Sequence, residues 1–173
     1  MSLSYDTVQK TPIVGAMTGL LNDVYAYWDE LRGAHETPQW RAFDWMRLPP
    51  KVIPWCAVAD VRENPLDFVY RFWGTARTEL QGHDYTGWSI GDVSPASVAA
   101  KIVEEYRSIY QSRKPVYFET SYVSEGKSGV FVYHFLRLPL ASAEMPVGHI
   151  LSAGLYEETD IRKIHDLFGI KDD

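Results

Sequence analysis

Residues 66–73 read LDFVYRFW, a strand-length run with almost no polar position to give to water. Side chains alternate along a strand, so Leu66, Phe68, Tyr70 and Phe72 share one face and Asp67, Val69, Arg71 and Trp73 the other. Both faces are largely apolar, and a strand of this kind must be covered on both sides. The chain therefore has to supply cover for two faces of a sheet.

One cover is legible upstream. In TGLLNDVYAYWDELRG, Leu20, Val24, Tyr27 and Leu31 step by four, three and four, and Trp28 widens the stripe. This is the period of an amphipathic helix, with Thr18 placed to cap it and Gly33 to end it. The stripe can lie on the chain's own sheet, or on the same helix of a second copy. Leu20, Val24, Tyr27, Trp28 and Leu31 are thus the candidate dimer interface. Residues 34–54 carry Pro38, Pro49, Pro50 and Pro54 and form no continuous element.

Strands are expected at 55–61 and 66–73, separated by a turn at RENP. Gly74 to Ile90, broken by Gly82 and Gly87, holds one or two short helical turns. Ser94 and Pro95 then open the clearest helix, whose face is Val98, Ile102, Tyr106, Ile109 and Tyr110 and whose end is marked by Pro115. Strands follow at 116–123, 130–140 and 147–157, and Thr159 can cap a last short helix. The expected fold is α+β: an antiparallel five-stranded sheet with helices on one face and the amphipathic N-terminal helix added. The expected organisation is a tail at 1–17, one domain at 18–157 that includes the leading helix 19–32, and a short helix and tail at 158–173.

The motifs of phosphate chemistry are missing. GTARTELQG (74–82) fits neither GxxxxGK[ST] nor GxGxxG, so Gly74 reads as a sharp strand exit and Thr75 as a helix cap. The five histidines, at 35, 83, 134, 149 and 165, show no metal-ligand spacing. Cys56 reads as a small buried hydrophobe, and as the single cysteine it excludes an internal disulfide. A net charge of −6 without a basic block argues against nucleic acid. With no secretory pattern and no apolar stretch of membrane-spanning length, the expected setting is the cytoplasm.

Aromatic residues make up 14% of the chain, and several fall at the end of the expected strand 66–73, in the short helical turns after it and on the long helix. Trp73, Tyr85, Trp88, Tyr106 and Tyr110, with Arg71 and His134 as polar anchors, are the candidate ligand pocket. The alternative for the same residues is a filled core. Arg71, flanked by apolar neighbours, needs a carboxylate such as Asp44 or Glu79, or a ligand anion.

Four strings carry a resemblance. YWDELRG in the leading helix, YR-x-x-GT at 70–75, QGHDYTG at 81–87 and RLPL at 137–140 resemble a bacterial, stand-alone branch of the PAS-domain family. Two strands, small helices, a long helix and three strands is also the PAS order. Where that branch tends to carry Arg and Asp followed by proline, Arg41 and Asp44 are present, but Trp45 follows. The resemblance implies a non-enzymatic sensory or signalling module that binds a small organic ligand or a protein partner, as a homodimer. The cysteine that flavin-adduct photochemistry needs is absent from 74–90, and a haem-ligating histidine is absent from 95–112, so neither cofactor is expected. The rivals are a small enzyme with His134, Arg71 and Asp44 convergent in a cavity, and a scaffold with a filled core.

Overall fold

The computed structural model describes residues 3–12, 17, 19–124, 130–155 and 165. Residues 125–129, between two of the expected strands, lie outside them, as do Thr18 and the last expected helix apart from His165.

The first cover forms as expected: α1 runs from Gly19 to Arg32 and stops where Gly33 takes a positive φ of 54°. Three short 3-10 turns then occupy the proline-rich stretch, at Trp40–Ala42, Trp45–Arg47 and Ile53–Trp55. Next come β2 (Cys56–Arg62), β3 (Asp67–Trp73), α2 (Thr75–Gln81), a 3-10 turn at Ile90–Asp92 and α3 (Ala96–Ser112). The described chain continues through β4 (Val116–Ser124), β5 (Val130–Leu140) and β6 (His149–Leu155).

These strands form one antiparallel sheet, and the fold class is α+β with helices packed on it, as expected. The five expected strands are all present, and residues 3–10, expected as tail, add an edge strand, β1, so that among the described residues the sheet has six strands in the order β1-β4-β5-β6-β2-β3. β1 pairs with β4 from Leu3↔Ser124 to Lys10↔Tyr117, and Lys10 pairs with Glu119. An edge strand with one paired side keeps polar residues in its alternation, which is why LSYDTVQK does not announce itself as a strand.

The sheet has two covered faces. On one, Leu21, Val24, Tyr25, Tyr27 and Trp28 of α1 pack with Cys56, Val58, Leu136, Leu138, Leu140, Leu151 and Ala153. On the other, Val98, Ala99, Tyr106 and Ile109 of α3 and Leu80 of α2 pack with Ala57, Ala59, Phe68, Tyr70, Phe118, Tyr133, Phe135 and Ile150. The single-residue alternation of β5 divides the two cores: Tyr133, Phe135 and Arg137 face α3, and Leu136, Leu138 and Leu140 face α1.

Two expectations are corrected by this packing. The stripe offered to a second copy is covered by the chain's own sheet. Val24, Tyr27 and Trp28 are buried, and the Trp28 Nε1–H donates to the Pro139 carbonyl at 2.8 Å. Leu20 and Leu31 remain half-buried. The second correction is in β3. Val58 pairs with Phe72 but Ala59 pairs with Tyr70, so Arg71 is the extra residue of a β-bulge. Beyond it the alternation is reset, placing Phe72 against the α1 core and Trp73 on the same side as Tyr70.

A candidate ligand cavity between helices and sheet

Gly74 positions the site. A side chain there would put its Cβ 2.1 Å from the Pro54 carbonyl oxygen and 2.6 Å from its carbon, so only glycine lets the chain leave β3 this close to Pro54. Gly74, rather than Thr75, is the N-cap of α2. The tight exit turns α2 over the sheet and carries Arg77 inward.

Beneath α2 and α3 lies a small cavity with room of about 50 Å³ for the centres of water-sized occupants. Tyr70, Trp73 and Tyr85 form an aromatic wall, with Trp73 edge-on to Tyr70 at 4.7 Å and to Tyr85 at 5.2 Å. Val93, Val98 and Ile102 supply an aliphatic side, and Arg77, Arg137, Tyr106 and Ser152 a polar one.

The polar side is unusual because it is both charged and buried. Arg137 pairs with Glu105, each about 3% exposed. The Arg137 guanidinium also lies 4.8 Å from the Tyr106 ring centre and 4.9 Å from that of Phe118. Arg77, 5% exposed, donates from Nε to the Trp55 carbonyl at 2.7 Å and from Nη2 to Ser152 Oγ at 3.3 Å. Its guanidinium faces the rings of Trp73 at 5.1 Å and Phe135 at 5.7 Å. Burial pushes the Tyr106 phenol well above its ordinary pKa, and burial likewise raises Tyr70; the Arg77 charge opposes both. Both therefore stand as neutral phenols at neutral pH.

The structure brings together Trp73, Tyr85 and Tyr106 of the expected pocket and disperses the rest. Trp88 is 44% exposed and packs edge-on against His83 and Tyr85. Tyr110 is at the rim of the core, with its hydroxyl on Glu63. His134 sits on the α1 side of the sheet, its Nδ1 2.6 Å from the Tyr117 hydroxyl and its ring stacked on Tyr117. The β5 alternation that sends Phe135 and Arg137 to the cavity sends His134 away from it.

Arg71 projects outward from the bulge, with Nε 2.6 Å from Asp60 Oδ1. Its partner is Asp60 rather than Asp44 or Glu79. His149 Nδ1 approaches the same Asp60 oxygen at 2.8 Å. Burial pushes the Asp60 carboxyl up, but hydrogen bonds and charge from Arg71 and His149 outweigh it and hold it below the usual range. Asp44 caps a 3-10 turn by accepting from the Met46 N–H. The expected enzyme set of His134, Arg71 and Asp44 thus does not converge.

The residues missed from sequence were Arg77, Arg137, Glu105 and Ser152. Charged residues inside helices default to the solvent face, and Arg137 stands in the sequence only as part of the string RLPL. The available signal was that Arg137 shares the register of Tyr133 and Phe135.

No family model matches the chain, and no curated protein matches its sequence. Among solved structures, it is similar to a light-oxygen-voltage domain studied with a flavin analogue. That match has 14% identity and a TM-score of 0.42 and covers 64% of this chain and 83% of the other. The PAS domain of the histidine kinase ThkA matches at 13% identity and a TM-score of 0.41, over 58% and 98% of the two chains. An RNA-binding light-oxygen-voltage receptor matches at 17% identity and a TM-score of 0.47 over 96% of this chain, which spans 42% of that receptor's length. Similarity at this level assigns no ligand and no activity. Among the described residues no three His, Cys, Asp or Glu side chains are grouped to hold a metal, and no helix is long and apolar enough to cross a membrane.

Proposed function

We propose that the chain is a non-enzymatic, PAS-like sensory module that takes a small organic molecule into the cavity beneath α2 and α3. The observation that carries this reading is the cavity itself: an aromatic wall of Tyr70, Trp73 and Tyr85 facing a buried guanidinium, Arg77. A concave site with apolar walls and few polar anchors is the usual form of a small-molecule site. The element order supports the PAS-like part of the reading, since two strands, α2, α3 and three strands follow one another as the sequence resemblance implies. An enzymatic reading is less well supported, because His134, Arg71 and Asp44 lie on different surfaces with different partners.

Native mass spectrometry of gently purified protein, set against its denatured mass, tests the proposal. A non-covalent increment that disappears on denaturation is the expected result. A protein that carries no increment, and whose tryptophan fluorescence and unfolding temperature respond to no member of a small-metabolite panel, would refute it.

A further inference from the structure

Two hydrogen-bond donors at the cavity, one on Trp73 and one on Arg77, stand out by what they do not meet. Trp73 lines the space, and its buried indole N–H has no acceptor among the described residues. Arg77 bonds only neutral groups, the Trp55 carbonyl and Ser152, and forms no ion pair among the described residues. The other charges there, Arg137 and Glu105, neutralise each other. Among the described residues the cavity therefore holds one positive charge in excess, and a buried charge without a counter-charge is strongly disfavoured unless something neutralises it.

We infer that the ligand is a short-chain carboxylate, its carboxylate held by the Arg77 guanidinium and the Trp73 indole N–H and its alkyl part against Val93, Val98 and Ile102. The inference rests on the cavity being a ligand site. A planar guanidinium matches a carboxylate, and an ion-assisted bond of this kind is stronger than a neutral one. The available room fixes the size. If each water-sized centre needs about 10–15 Å³, the space of about 50 Å³ takes a ligand of about three to five heavy atoms. The aliphatic side favours a monocarboxylate over inorganic phosphate, whose every oxygen would need a donor.

Titration calorimetry with sodium propionate, propionamide, sodium phosphate and sodium chloride at constant ionic strength tests this. Propionate should bind at least tenfold more tightly than propionamide, and phosphate and chloride should give no saturable heat. Arg77→Met should weaken propionate at least tenfold. Because that variant also loses the three structural hydrogen bonds of Arg77, Trp73→Phe serves as the second probe: it keeps the ring, removes the N–H, and should weaken propionate about three- to tenfold with the fold intact. Equal affinity for propionate and propionamide, tighter binding of phosphate, or unchanged propionate binding in both variants would overturn the inference. A neutral compound found bound by native mass spectrometry would overturn the carboxylate assignment and leave the ligand-site reading standing. An absence of any bound or binding compound would remove both.

Discussion

The Glu105–Arg137 pair is a buried interaction whose energetics can be worked from the geometry and measured. Both side chains are almost wholly removed from water, one on α3 and one on β5. Losing one partner of such a pair leaves a buried charge and costs about 3–5 kcal/mol. For Glu105→Gln the cost should fall near the lower end, about 3 kcal/mol, because the Arg137 guanidinium keeps the ring faces of Tyr106, Phe118 and Phe135, each such contact contributing about 0.5–2 kcal/mol. Arg137→Met leaves Glu105 without that support and should cost about 4 kcal/mol. The double replacement Glu105→Leu with Arg137→Met removes both charges, so it should cost at least about 2 kcal/mol less than the sum of the two corresponding single changes. Urea denaturation at pH 7, followed by tryptophan fluorescence, reads these values directly. A domain of this kind has about 5–15 kcal/mol in total, so each single variant should remain measurable at low temperature. Additivity to within about 0.5 kcal/mol would mean the two groups do not act as a pair, and the argument from burial would fail.

Other outcomes follow from the same packing. Gly74→Ala should cost more than about 4 kcal/mol or prevent folding, because the new methyl meets the backbone of Pro54 rather than a flexible side chain; a thermal melt within a few degrees of the parent would contradict this. Cys56 is buried against the Val52 carbonyl, and burial pushes its thiol up to about 12, so it should resist maleimide in native buffer and react fully in denaturant. Asp60→Asn should lower stability at pH 7 by about 0.2–1 kcal/mol, the range for a solvent-screened ion pair. Because the folded carboxyl titrates below its unfolded value of about 3.9, that difference is present above pH 4 and should vanish as pH falls through the folded value; a gap that persists at low pH would refute the pairing.

The fold was legible where a period and its punctuation agreed. The α1 stripe with Gly33 after it, the two-faced run at 66–73 and the prolines around α3 each state a local geometry that tertiary packing had no reason to overturn. The edge strand β1 was not legible, because among the described strands only β4 pairs with it and its pattern is that of any polar segment. Neither was the fate of the α1 stripe: an apolar face specifies that it will be covered, and the cover here joins β2 with β5 and β6, Trp28 meeting Pro139 111 residues downstream.

The site was legible in its aromatics and not in its charges, and one residue explains much of the difference. A strict alternation through YRFW puts Tyr70 and Trp73 on opposite faces and leaves Arg71 as the polar group beside Trp73. The bulge at Arg71 inserts one residue, which moves Trp73 to the Tyr70 side and turns Arg71 out to Asp60. With Arg71 removed, the anchoring cation has to come from elsewhere. Gly74, three residues on, allows the turn that delivers Arg77 of α2 over the Trp73 ring at 5.1 Å. Bulge and glycine act together: the first orients the indole and the second brings the guanidinium to it. Lengthening β3 by one residue between Tyr70 and Phe72 would undo that register, and a cavity built on Trp73 and Arg77 would then lose both of its donors at once.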